Sequence, residues 1–186
     1  LGVHLSRKLL KENYEVTLFD VASLDAKDLI GKVKYIKGDI RNKKTVDSAI
    51  KNQDYIVHAA AALPILREKK IIFDININGT KNVLESALRK KVKRLVFISS
   101  TAVYGIPRHL PEKETNPLDP IGFYGESKVA AEKLCLEYLK KGLSVNILRP
   151  KTFLGPERLG VFELWFEAIY KNKSVFILGN GNNKYQ

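Results

Sequence analysis

"RLVFISSTAVYG", residues 94–105, decides how the chain is read. Leu95 to Ile98 are all bulky and apolar, and small hydroxyl residues follow at once. A short apolar run bounded by turn residues predicts a strand buried on both faces, as in a parallel sheet. In such a sheet, ligands sit outside the carboxyl ends of the strands. The segment SSTAVYG, 99–105, is therefore a candidate for chemistry, with Ser100 ahead of Ser99, which reads as structural.

The same pattern repeats outward. Strands are predicted at YEVTLF (14–19), VKYIKG (33–38), DYIVHAA (54–60) and SVNILRP (144–150). Helical patterns fill the intervals at about 3–12, 42–51, 70–90 and 126–141. In the last of these, Val129, Ala130, Lys133, Leu134 and residues 136–139 give the helix one apolar side. Alternating strands and helices predict an α/β fold with a doubly wound parallel sheet. After Pro150 the texture changes. KTFLGPERLG is rich in turn residues, and a helix VFELWFEAIYKNK, a strand SVFILG and a loop follow. The expected organisation is a domain over 1–150 and the beginning of a smaller lobe over 151–186. Phe162, Trp165, Phe166 and Ile169 recur at helical spacing and are expected in a core.

Bulk properties narrow the class. The chain has 186 residues, 45% of them hydrophobic and 28% charged, which suits a globular domain or one domain with part of another. The longest apolar run, AAAALPIL, is broken by Pro64 and falls short of a membrane span. The opening LGVHLSRKLL lacks the layout of a signal peptide. Cys135 is the single cysteine, so an internal disulfide is excluded, and a reducing, cytoplasmic setting is expected. His4, His58 and His109 show no metal-ligand spacing, and no structural metal is expected. The net charge of +12 raises the question of nucleic acid. Its densest patch, RKKVKR (89–94), stands at a helix end, where cations suit the dipole. No aromatic residues are interleaved for base stacking, which argues against that partner. An anionic small substrate would be attracted equally.

Other chemistry-bearing residues also follow predicted strands. Asp20 ends TLFD, Asp39 and Ile40 follow YIKG, HAAA spans 58–61, and Pro150 closes NILRP. FYGESK (123–128) sets Tyr124 and Lys128 four apart, on one helix face. That spacing also occurs on ordinary helix surfaces.

GDI, HAAA, NINGTKNVLESA, ISSTAVYG, YGESKVAAEKL and LRP…GP occur in this order along almost the whole chain. The ordered set resembles the extended short-chain dehydrogenase/reductases, the NAD-dependent epimerase/dehydratase group. The resemblance implies a Rossmann-like fold, NAD as cofactor, a nucleotide sugar as the expected substrate and a homodimer. Gly2 matches the last glycine of the family's G-x-x-G-x-x-G turn. The first strand and two glycines of that motif are absent, so the resemblance implies a chain trimmed at its start and, at Gln186, within its second lobe.

Asp20 would accept from the ribose hydroxyls and repel a 2′-phosphate, which favours NAD over NADP; its alternative is a loop or capping aspartate. Asp39 and Ile40 match the adenine-binding pair, Ala59, Ala60 and Ala61 the close backbone approach, and Asn76 the family's helix asparagine. Each also reads as a turn, a core or an interior residue. Tyr124 is implied as the acid/base, Lys128 as the ammonium that favours its phenolate and holds the nicotinamide ribose, and Ser100 as the donor to the reacting oxygen. Thr101 and Ala102 stand where the family's dehydratases carry acids, which disfavours sugar dehydration. Thr152 stands where many sugar-nucleotide epimerases carry Asn, which leaves room for a reductase of a steroid or flavonoid. A non-catalytic dinucleotide- or nucleic-acid-binding member of the fold is the remaining alternative, and the intact Ser–Tyr–Lys set favours the enzyme.

Overall fold

The structure, a computed structural model, describes residues 1–66, 68–107, 111–152, 155, 162–175 and 179–180. Helix α1 (Gly2–Lys11) leads into strand β1 (Thr17–Asp20), a 3₁₀ turn (Lys27–Leu29) and β2 (Lys34–Lys37). Helix α2 (Lys43–Ile50), β3 (Tyr55–His58), α3 (Lys69–Phe73), a π-helical segment (Asp74–Gly79) and α4 (Thr80–Arg89) follow. Then come β4 (Arg94–Ile98), a second 3₁₀ turn (Thr101–Val103), α5 (Gly122–Lys140), β5 (Val145–Leu148) and α6 (Phe162–Tyr170). No described helix is long and apolar enough to cross a membrane.

The pairings among strands β1 to β5 are all parallel, as the alternation predicts. They form two sheets: β1 pairs with β2, and β3, β4 and β5 pair in that order. A cleft lies between the facing edges of β1 and β3. Helices α2, α4 and α5 pack side by side, α4 touching both of the others. Their apolar faces meet Leu95 and Phe97 of β4 in one core with Val46, Ile50, Leu84, Ala131 and Cys135. Helix α1 packs instead on the first 3₁₀ turn, where Arg7 and Asp28 pair.

Three expectations change. The strands are not buried on both faces: Leu95 and Phe97 are buried, whereas Tyr55, Val57 and Leu148 are exposed. The helix expected over 70–90 is interrupted by the π segment, which holds Asn76 inward and sets Gly79 against Ile40. A Cβ at Gly79 would stand 2.5 Å from the Ile40 side chain, so only glycine permits that approach. Trp165, Phe166 and Ile169 of α6 are exposed rather than core, and Phe162 meets Trp165 edge to face. Residues 176–178 of the expected strand SVFILG lie outside the described residues, as do His109 and most of KTFLGPERLG.

His58 closes β3 in full burial, its ring 5.6 Å from that of Phe97 and its Nε2 2.9 Å from Thr80 Oγ1. Burial, with the Lys128 charge nearby, pushes its pKa down to about 3. Below the free value of about 6.5, the unfolded chain binds a proton that the folded chain refuses. Stability is therefore lost as the pH falls through that window. In the intact protein, unfolding free energy should drop by about 1–2 kcal/mol between about pH 6.5 and pH 5, where few carboxylates titrate. His58→Gln should flatten that slope in chemical denaturation curves; an unchanged slope would refute the neutral, buried imidazole.

Candidate active site

The cleft encloses about 1120 Å³. Thr17 to Asp20 form one wall and Tyr55 to Ala61 the other. Leu1, Gly2 and Val3 bring the amino end of α1 to it. Ser100, Tyr124, Lys128, Pro150 and Thr152 also line it. Strand ends and one helix start thus meet in a single space, as parallel topology requires.

Ser100 precedes the second 3₁₀ turn in extended conformation, and its hydroxyl accepts from Ala102 N at 3.2 Å. The adjacent Thr101 N donates to Pro150 O at 3.1 Å, which ties the β4 exit to the β5 exit. Helix α5 starts against this turn. A Cβ at Gly125 would stand 2.7 Å from Ala102 O, so the glycine of YGESK is what lets Tyr124 come close to Ser100. Burial lifts the Tyr124 phenol above its usual range, and a hydrogen bond with Ser100 pulls it part of the way back. Lys128 donates from Nζ to Ile98 O at 2.8 Å and lies 5.9 Å from the Tyr124 ring centroid and 4.9 Å from that of Phe97. Burial brings its pKa down to about 8, against the opposing field of neighbouring α5 groups.

Of the residues singled out for cofactor contact, Gly2, Asp20, Ile40, Ala59, Ala60, Ala61, Tyr124, Lys128 and Pro150 line the cleft. Asp39 and Asn76 are not among its lining residues. The Asp39 carboxylate is held by Arg41, with Nη2 at 2.6 Å and Nε at 3.0 Å, and this keeps it ionised below the usual carboxylate range. Asn76 is buried: its Oδ1 accepts from Ala62 N at 2.7 Å, and its Nδ2 donates to Ala62 O at 3.1 Å and Ser127 Oγ at 2.9 Å. It bridges the β3 exit to α5.

The model of the NAD dependent epimerase/dehydratase family matches residues 1–186. The chain belongs to that family. A putative UDP-glucose 4-epimerase of Methanocaldococcus jannaschii is 32% identical over 98% of the chain and 64% of its own length. The mouse (Mus musculus) sterol-4-alpha-carboxylate 3-dehydrogenase, decarboxylating, is 29% identical over 98% of the chain and 51% of its own length. The chain thus spans about half to two thirds of these relatives. Among solved structures, a UDP-glucose 4-epimerase of Thermotoga maritima with UDP-glucose superposes with a TM-score of 0.87, at 25% identity over 97% of this chain and 63% of that one. The family assignment agrees with the Rossmann-like parallel architecture.

Two residues just behind this site escape sequence reasoning. Glu132, one turn beyond Lys128, is buried, and Arg149, just before Pro150, pairs with it at 2.7 Å. The legible signal was a glutamate at the spacing of the buried face of α5, since a carboxylate there demands a cation.

Removing the Asn76 bridge has a measurable cost. Asn76→Ala strands two backbone groups of Ala62, at about 1–3 kcal/mol for each buried group left unsatisfied. Urea unfolding of the intact variant should show a loss of at least that order. Parental stability would mean that water replaces the bridge freely.

Proposed function

We propose that the intact protein is an NAD-dependent epimerase or oxidoreductase acting on a secondary alcohol or ketone, in the first instance of a nucleotide sugar. The observation that carries this reading is the convergence of Ser100, Tyr124 and Lys128 on one cleft with Asp20 and Ala59 to Ala61. The residues present suit the dinucleotide. The amino end of α1 offers backbone N–H groups to a pyrophosphate, Asp20 stands exposed at the end of β1, and small side chains at 59–61 allow close backbone approach.

When bound, NAD supplies the hydride acceptor and donor, and its positive ring favours a phenolate nearby. Tyr124 Oη takes the proton of the substrate hydroxyl. Ser100 Oγ donates to the oxygen as it becomes a carbonyl. Lys128, protonated near neutral pH and fixed by Ile98 O, adds positive potential behind the phenol. The Tyr124 ring is half-buried, so without that potential burial keeps it a neutral acid. Thr101 and Ala102 bring no acid to the cleft, and this supports epimerisation or redox chemistry over loss of water. Residues 1–150 hold the cofactor in this reading, and 151–186 open the substrate-side lobe. Exposed Leu136 and Leu139 on α5 support a homodimer. A second reading, oxidation of a sterol-like alcohol, is favoured by the sterol dehydrogenase relative and by Thr152 at the cleft wall.

Two measurements test this. The intact protein should bind NAD more tightly than NADP, because Asp20 disfavours a 2′-phosphate; equal affinities in paired titrations would remove Asp20 from the cofactor site. With UDP-glucose and a 3β-hydroxysteroid as probes, Tyr124→Phe should lower turnover by about 10²–10⁴-fold with little change in NAD affinity. Lys128→Ala should lower turnover and weaken NAD together. Near-parental turnover in Tyr124→Phe would exclude Tyr124 as the acid/base.

A further inference from the structure

Beneath the cleft lies a largely buried polar cluster whose charged members do not line it. Glu132 Oε1 accepts from Ser99 Oγ at 2.5 Å and from Arg149 Nε at 3.0 Å. Glu132 Oε2 accepts from Arg149 Nη2 at 2.7 Å. Arg149 Nη1 donates to Tyr104 Oη at 2.7 Å and to Glu114 O at 3.0 Å. Glu132 and Ser99 are buried, at 2% and 3% exposure. One guanidinium thus joins α5, the β5 exit, the turn after β4 and the segment carrying Glu114.

Each of these anchors is close to a residue of the proposed triad. Ser99 precedes Ser100. Arg149 precedes Pro150, whose carbonyl holds Thr101 N. Glu132 lies one and two turns beyond Lys128 and Tyr124 on the same face of α5. A buried ion pair is a poor source of net stability, because desolvating both charges offsets their attraction. What an arginine fork supplies that an apolar pair does not is direction: several donors in one plane, each with a fixed bearing.

We propose that Glu132 and Arg149 are positioning residues that set Ser100 against Tyr124 by locking the exits of β4 and β5 to helix α5. The role rests on the reading of Ser100 and Tyr124 as catalytic partners. The contact it predicts can nevertheless be observed without any substrate. Arg149→Lys keeps the charge beside Glu132 but cannot reach Tyr104 and Glu114 O together. Glu132→Leu combined with Arg149→Met replaces the pair by apolar groups of similar size.

The test uses the intact protein labelled with ¹³C at the ζ carbon of its tyrosines, eight of which fall within residues 1–186. The Tyr124 signal is assigned by its loss in Tyr124→Phe, and Ser100→Ala shows where it moves when the hydrogen bond is gone. In Arg149→Lys and in the double variant, the Tyr124 signal should move the same way, with no further movement when Ser100→Ala is added. The other tyrosines, Tyr104 apart, should keep their positions, and thermal melts should stay near the parent. A Tyr124 signal that stays in place in a folded Arg149→Lys variant overturns the proposal, whatever the melt does. So does a general shift of all tyrosines, which marks a merely structural pair. Because the readout needs no turnover, its failure is separate from failure of the catalytic reading, which Tyr124→Phe kinetics decide.

Discussion

Helix α5 is fastened to the strand exits by polar side chains on its buried face, and the site depends on that fastening. Ser127 is held by Asn76, Lys128 by the carbonyl of Ile98, and Glu132 by Ser99 and Arg149. A helix packed on the middle of a sheet would present only apolar groups. At the carboxyl ends the ladder stops, and backbone N–H and carbonyl groups must find partners elsewhere. Polar residues on α5 meet that need, and the apolar ones nearby, Ala131 and Cys135, return to the core. The line between core and site therefore runs along one helix face.

Burial acts on both members of the Tyr124–Lys128 pair, and it acts against ionisation in each. It lifts the phenol and lowers the ammonium. Left alone, both would move toward their neutral forms, which would remove the phenolate and the ammonium that the proposed reaction uses. Ser100 counters the shift on Tyr124, and the Glu132 carboxylate counters it on Lys128. Glu132 is in turn kept from being an uncompensated buried charge by Arg149, whose guanidinium is held well above its ordinary range by that same contact. Alternating charges, from Lys128 to Glu132 to Arg149, carry the compensation from the cleft to the partly exposed guanidinium.

Regular structure is legible where local chemistry decides it. Each strand predicted within residues 1–150 overlaps an observed one, because short apolar runs between turn residues have few other uses. The sequence pattern starts α5 at 126 rather than 122, since Phe123 and Tyr124 carry no helix signal and the helix begins where the chain docks on Ala102. The π segment is illegible because it serves to turn Asn76 inward, and its partners Ala62 and Ser127 lie 14 and 51 residues away in sequence. Asp39 reads as a turn residue in isolation and as a ligand residue only through the family resemblance. Only the fold shows Arg41 claiming its carboxylate. Arg149 hides within an apolar strand motif because its partners come from separate segments of the chain.

No single stretch of sequence specifies the site. The cleft takes its walls from β1 and β3, which belong to different sheets, and from the exits of β4 and β5. Asp20 and Ala59 to Ala61 reach it through backbone positions at strand ends, so their identity is constrained by size and charge alone. In the proposed reaction Ser100, Tyr124 and Lys128 would need more, because proton transfer requires atoms to meet within hydrogen-bond distance. That stricter demand falls on the region where Gly125, Asn76 and the Glu132–Arg149 pair reduce freedom of movement. The loosely specified half of the cleft is built from strand exits, and the tightly specified half from a helix with polar anchors at successive turns.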